Sequence, residues 1–171
     1  MKSHLVLVGL PGAGKTSVGK PLAEALGCPF VDVDAEIERR EGKTVREIFA
    51  ELGEPHFRKR EREITKNLRD KPAAVVAPGG GWVADQANIA LLRPPARLVY
   101  LKVRPSVALA RLGKLRGTRP LLSRPDPLAE ITRLLEERRV AYESADMAVD
   151  TELFDLQGVI GKIAELASAG G

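Results

Sequence analysis

The segment Gly9-Leu10-Pro11-Gly12-Ala13-Gly14-Lys15-Thr16 follows the apolar run Leu5-Val6-Leu7-Val8 and opens a helical pattern. A strand must therefore hand over to a helix through a glycine-rich loop, which commits the chain to an α/β arrangement. The spacing G-x-x-x-x-G-K-T is that of a phosphate-binding loop and makes the chain a binder of nucleoside triphosphates. Glycines let the backbone N–H groups turn inward onto phosphates, and the following helix adds the positive end of its dipole. Lys15 is expected to reach the β- and γ-phosphates, and the Thr16 hydroxyl to hold Mg²⁺.

With 171 residues the chain makes one domain, 1–171, long enough to bury a core. Cys28 is the single cysteine, so disulfides and cysteine-based metal sites are excluded and a small buried thiol is expected. The first strand begins within a few residues of Met1 and no apolar run is long enough to span a bilayer. The expected setting is the cytoplasm, with no membrane partner. A net charge of +4 raises the question of nucleic acid, yet aromatic residues are only 4% and basic residues alternate with acidic ones. A small anionic ligand explains the excess as well. The densest run, Arg58-Lys59-Arg60-Glu61-Arg62-Glu63, is mixed in sign and by default makes a solvated helix face.

Strand and helix patterns alternate to the end, the signature of a parallel sheet with helices on both faces. Strands are predicted at 4–8, 29–33, 73–77, 97–102 and 147–150. Helices are predicted at 15–26, 34–41, 44–52, 55–70, 85–92, 105–113, 126–144 and 155–167. Thr44 with Glu47 forms a capping box, Gly27, Gly42 and Gly53 sit where C-caps belong, and Asp85 opens a helix. Such a sheet binds its ligand at the carboxyl ends of its strands. After the second strand come Asp32 and Asp34, on one side of an extended segment. After the third come Gly79-Gly80-Gly81, which let a ligand approach the backbone.

Asp32 is suited to support Mg²⁺ through its water shell, and Asp34 to accept a hydroxyl proton or to orient that hydroxyl towards the γ-phosphate. Capping of the next helix accounts equally well for Asp34. Arg58 and Glu61, at i, i+3 on a helix, are placed to clamp a small carboxylate, with Glu61 holding Arg58.

Taken together these residues resemble the shikimate kinase family, within the nucleoside monophosphate kinase-like branch of phosphate-loop proteins. The resemblance runs through Gly9 to Thr16, Asp32-x-Asp34, Glu47-Ile48-Phe49, Gly53-Glu54, Phe57-Arg58-x-x-Glu61, Gly79-Gly80-Gly81, Val99-Tyr100-Leu101, Arg119-Pro120-Leu121-Leu122, and Arg138 with Tyr142. It implies a three-layer fold around a five-stranded parallel sheet of order 2-3-1-4-5. It also implies a Mg²⁺-dependent transfer from ATP to the 3-hydroxyl of shikimate, in the route through chorismate to aromatic amino acids, by a protein expected to be a monomer. By the same resemblance ATP falls to Gly12, Ala13, Gly14, Lys15, Thr16, Ser17 and Arg119, and Mg²⁺ to Thr16 with Asp32 nearby. Shikimate falls to Asp34, Arg58, Glu61, Gly80, Gly81 and Arg138, with the shikimate-binding helices at about 34–70. The catalytic set is Lys15, Asp34 and Arg119. A stretch near 112–124 matches the family's mobile lid, and its glycines, prolines and basic residues also fit a surface loop.

Several features depart from the family pattern. Pro21 lies within the first helix, Pro78 precedes the glycine triplet, and Trp82 follows it, lining the shikimate pocket or capping the core. Val140-Ala141 replaces a Pro-Leu pair and the stretch from Tyr142 to Asp150 is one residue short, so Arg139 stands as an alternative to Arg138. Three other functions fit parts of the sequence. A gluconate kinase of the same branch would use the two arginines on its own hydroxy acid. A regulatory GTPase would need an Asn-Lys-x-Asp tetrapeptide, which the sequence lacks. A nucleic-acid-binding ATPase would show salt-dependent retention on nucleic acid.

Overall fold

The chain forms a five-stranded, all-parallel sheet of order β2-β3-β1-β4-β5, described by a computed structural model over residues 1–114 and 124–169. The strands are β1 (Leu5–Val8), β2 (Phe30–Asp32), β3 (Val75–Ala77), β4 (Arg97–Lys102) and β5 (Met147–Asp150). Arg119 and most of the stretch 112–124 lie outside the described residues.

The central strands are continuous apolar runs because helices cover both of their faces. Leu5, Val6, Leu7 and Val8 of β1, Val75 and Val76 of β3, and Leu98 to Leu101 of β4 are all buried. The edge strand β2 is only half-buried. Between the strands run α1 (Lys15–Leu26), α2 (Val33–Glu41), α3 (Val45–Glu51), α4 (Glu54–Leu68), α5 (Gln86–Leu92), α6 (Pro105–Lys114), α7 (Pro127–Glu143) and α8 (Leu156–Ala169). A short 3₁₀ turn, Trp82–Ala84, was not among the predicted elements.

Local chemistry sets most of these boundaries. Gly27 and Gly42 adopt φ of 62° and 66° and close α1 and α2 in the left-handed conformation expected of C-cap glycines. Thr44 and Glu47 exchange both bonds of a capping box at the start of α3. Helix α1 runs on through Pro21, which withholds the N–H that the Ser17 carbonyl would otherwise accept. Cys28 is half-buried against the core, less enclosed than expected, because it sits in the turn after Gly27.

Helices α2, α3 and α5 gather around α4, while α7 packs on α6 and on the turn Trp82–Ala84. The buried ring of His4 fastens α4 to the sheet. Its Nδ1 accepts from the Ala74 N–H at 3.0 Å, which leaves Nε2 as the donor to the Leu68 carbonyl at 2.8 Å. Residues 112–114, predicted to begin the lid, are the last turn of α6, and Leu112 is buried there. Among the described residues no helix is long and apolar enough to cross a membrane.

Candidate active site

The loop after β1 is shaped by its glycines. Gly12 and Gly14 have φ of 84° and 95°, where an L side chain is strained. At Gly12 space adds a second restriction, because a Cβ there would strike the Ala108 carbonyl of α6. Ala13 is buried, with its N–H donating to the Leu10 carbonyl at 3.0 Å. Helix α1 begins without a side-chain cap and without an acidic residue in its first turn, so its N-terminal N–H groups and dipole suit an anion. Lys15 lies across the loop, its Nζ donating to the carbonyls of Gly9 at 2.7 Å and Leu10 at 3.0 Å. Thr16 and Ser17 are exposed on the first turn of α1.

The two aspartates after β2 are not on one extended segment as expected. The strand ends at Asp32 and α2 starts at Val33, so Asp34 sits in the first helical turn and not on an extended segment. The cap is Asp32, whose Oδ1 accepts from the Ala35 N–H at 3.0 Å while its Oδ2 accepts from the Thr16 hydroxyl at 3.4 Å. Asp34 is thereby free of capping and points inward. Burial, followed by the nearby charge of Asp32, pushes its pKa up to about 6, against the opposing charges of Lys15 and Arg58. Its Oδ1 is buried with no hydrogen-bond partner among the described residues.

Beyond β3 each residue of the glycine triplet faces one charged side chain from a different helix. A Cβ on Gly79 would lie 2.6 Å from Asp34 Oδ1 of α2, and one on Gly80 would lie 3.0 Å from Arg138 Nη1 of α7. On Gly81 it would overlap the Arg58 guanidinium of α4. The triplet thus lets the main chain pass among three functional groups, and Pro11 of the phosphate loop borders Gly80 as well. Arg58 Nη1 donates to Glu61 Oε1 at 3.0 Å. Glu61 is wholly buried, so burial pushes its pKa up while Arg58 opposes the shift. Its Oε2 is another buried atom without a hydrogen-bond partner among the described residues. The mixed run on α4 therefore has two faces: Arg58 and Glu61 turn inward, whereas Arg60 pairs with Glu41 and Glu63.

Packing of α7 distinguishes the two arginines. Tyr142 is buried and stacks on Tyr100 of β4, with ring centroids 4.8 Å apart. Arg138 stands one turn before Tyr142 on the same face, and its Nη1 is buried beside Gly80. Arg139 points outward, pairing with Glu136, and Val140 next to it is 80% exposed. Trp82 belongs to the core, 1% exposed, and donates from Nε1 to Thr65 Oγ1 on α4 at 2.9 Å. Gly79 belongs to the glycine triplet read from the sequence but not to the residues assigned to shikimate, and Thr65 is in neither set. Position next to Gly80 pointed to Gly79, whereas nothing in the sequence connects Thr65 with Trp82.

The structure therefore brings Lys15, Thr16, Asp32, Asp34, Arg58, Glu61, Gly80, Gly81 and Arg138 to one edge of the sheet. The sequence model of a family described as Shikimate kinase matches residues 11–167. A shikimate kinase from Moorella thermoacetica is 41% identical over 169 residues, covering 99% of this chain and 96% of that one. The structure of the Acinetobacter baumannii shikimate kinase in complex with shikimate superposes with a TM-score of 0.90 at 36% identity, covering 99% of this chain and 95% of that one. A gluconokinase from Sinorhizobium meliloti shares the fold at a TM-score of 0.58 and 24% identity, covering 98% of this chain and 94% of that one. With the family model matching residues 11–167 and a 41% identical relative covering 99% of its length, the chain belongs to the shikimate kinase family.

Proposed function

We propose that the chain transfers the γ-phosphoryl group of ATP to the 3-hydroxyl of shikimate, giving ADP and shikimate 3-phosphate for the route through chorismate to aromatic amino acids. The observation that carries this reading is the triplet Gly79–Gly81, flanked by a buried carboxylate and two guanidinium groups within one site that borders the phosphate loop. A hydroxy acid needs that combination: cations for its carboxylate and an acceptor for its hydroxyl proton.

In this reading Arg58 and Arg138 bind the carboxylate of shikimate, with Glu61 holding Arg58 in orientation, and the backbone of Gly80 and Gly81 lies against the ring. Asp34 accepts the proton of the attacking hydroxyl at its carboxylate, and the cationic neighbours Lys15 and Arg58 favour its ionised form. Gly12, Ala13, Gly14, Lys15, Thr16 and Ser17 bind the phosphates, where Lys15 would exchange its two carbonyl partners for phosphate oxygens. Arg119, outside the described residues, is assigned to the nucleotide with them.

The Thr16 hydroxyl and the Asp32 carboxylate offer a hard-oxygen pair beside the phosphate loop. Two protein oxygens, with phosphates and water completing the shell, suit Mg²⁺, so these residues fit the ion. Bound with the nucleotide, Mg²⁺ supplies positive charge against the β- and γ-phosphate oxygens. The same reading makes the protein a monomer of the cytoplasm that acts on small molecules and on neither nucleic acid nor membranes. Several surface arginines favour small molecules over nucleic acid, since Arg39, Arg40, Arg60, Arg62, Arg104, Arg133 and Arg139 are each paired with a carboxylate.

ADP release measured with ATP and Mg²⁺ should depend on shikimate and stay at background with gluconate or without acceptor. Equal release with and without shikimate would overturn the assignment.

Asp34→Asn should lower kcat by at least about 10²-fold and leave the KM for ATP nearly unchanged, because it removes the proton acceptor and little else. The same substitution should stabilise the ligand-free protein. A carboxyl whose pKa rises on folding from 3.8 to about 6 contributes stability that is fully present below pH 3.8 and lost as the pH rises through about 6. The variant should therefore be more stable than wild type at pH 8, by at most about 3 kcal/mol, and melt higher, with the gap closing towards pH 4. Unchanged turnover, or a lower melting temperature at pH 8, would contradict the role.

Arg138→Ala should raise the KM for shikimate at least about tenfold and spare that for ATP, since an arginine-carboxylate pair is worth roughly 1.5–3 kcal/mol. Arg139→Ala should behave like wild type. The reverse pattern would assign the carboxylate to Arg139.

A further inference from the structure

Trp82 is the chain's only tryptophan, and its indole is buried and anchored on α4. An N–H buried at 1% exposure requires an acceptor, and Thr65 Oγ1 is the one provided, at 2.9 Å. The direction of that bond is fixed. The Thr65 hydroxyl spends its own hydrogen on the Glu61 carbonyl one turn back, at 2.8 Å, so only its lone pairs face Trp82. Thr65 is itself wholly buried, which keeps water from replacing either partner. A relay thus runs from the indole N–H through the Thr65 hydroxyl to the main chain of Glu61, whose carboxylate grips Arg58 at 3.0 Å.

The other end of the relay is the acceptor cradle. Trp82 directly follows Gly80-Gly81, and its own N–H donates to the Gly79 carbonyl at 3.1 Å, winding the triplet into the turn. The Trp82 carbonyl accepts from the Asn88 side chain at 3.3 Å, and Asp85, just past the turn, pairs with Arg62 of α4. Of these fastenings only the Trp82–Thr65 bond is a buried side-chain link between the turn and the helix that carries Arg58. Since even a Cβ on Gly81 would overlap Arg58 Nη2, a small drift of the turn would change the space between them.

We propose that Trp82 is a positioning residue for the acceptor carboxylate: through Thr65 it sets the separation between the Gly80-Gly81 backbone and the Arg58–Glu61 pair. The inference rests on the reading of that space as the shikimate site and adds a determinant of its width. Neither Trp82 nor Thr65 needs to touch the ligand.

The test compares Trp82→Phe, which keeps the aromatic bulk and removes the donor, with Thr65→Val, which keeps the shape and removes the acceptor, and with Thr65→Ser, which restores the hydroxyl. Trp82→Phe and Thr65→Val should each raise the KM for shikimate about tenfold and leave the KM for ATP within about twofold, the scale of losing one buried hydrogen bond. Calorimetric titration with shikimate should show the same loss for Thr65→Val. The double variant should be no more than about twofold worse than the poorer single one, because both break the same link. Thr65→Ser should return the KM to within about threefold of wild type. Should Trp82→Phe fail to fold, the Thr65 pair decides alone. An unchanged shikimate KM in Thr65→Val, equal shifts for both substrates, or multiplying effects in the double variant would overturn the proposal. Wild-type turnover that ignores shikimate would instead strike the reading of the function, independently of these variants.

Discussion

Three consecutive residues without side chains, Gly79 to Gly81, hold the site together by leaving room. Each missing Cβ is matched by a charged group, Asp34 from α2, Arg138 from α7 and Arg58 from α4, so three helices converge on one short piece of main chain. The strand order makes this possible. Because β3 lies between β2 and β1, the loops that follow these strands are neighbours, and the aspartates, the glycines and the phosphate loop share one edge. A parallel sheet delivers all three loops to the same end, which an antiparallel pairing would not do.

The convergence leaves polar groups buried at a price in stability. Asp34 Oδ1, Glu61 Oε2 and Arg138 Nη1 are buried with no hydrogen-bond partner among the described residues, and both carboxyl groups are pushed towards their neutral forms by burial. Such groups destabilise the free fold; in the proposed reading a bound hydroxy acid would supply partners, so that desolvation already incurred in folding would favour that ligand. The framework beneath is conventional by contrast: apolar central strands, left-handed C-cap glycines and a closed capping box.

Local signals carried far in this chain. Apolar runs, cap residues and the phosphate loop located the strands and long helices within a residue or two, because each depends on neighbours along the chain. What the sequence left open were contacts between distant residues. Asp32 rather than Asp34 became the helix cap because α2 begins directly at the sheet edge, with no extended residue in between. The choice between Arg138 and Arg139 could not be made by counting, whereas the stacking of Tyr142 on Tyr100 sets the rotation of α7 and turns Arg138 inward. Trp82 and Thr65 lie 17 positions apart, and no periodicity joins a strand-end turn to the middle of a helix. Lys15 is legible by motif, yet its hold on the Gly9 and Leu10 carbonyls is a property of the folded loop.

The account stands or falls on the space over the glycines, and Gly81→Ala measures it directly. Gly81 has φ of −81° and ψ of −11°, which alanine adopts without strain, so the substitution adds only a methyl group against the Arg58 guanidinium. The account predicts that the KM for shikimate rises at least about tenfold, with the KM for ATP within about twofold of wild type. A Gly81→Ala protein that binds and phosphorylates shikimate as wild type does would contradict it.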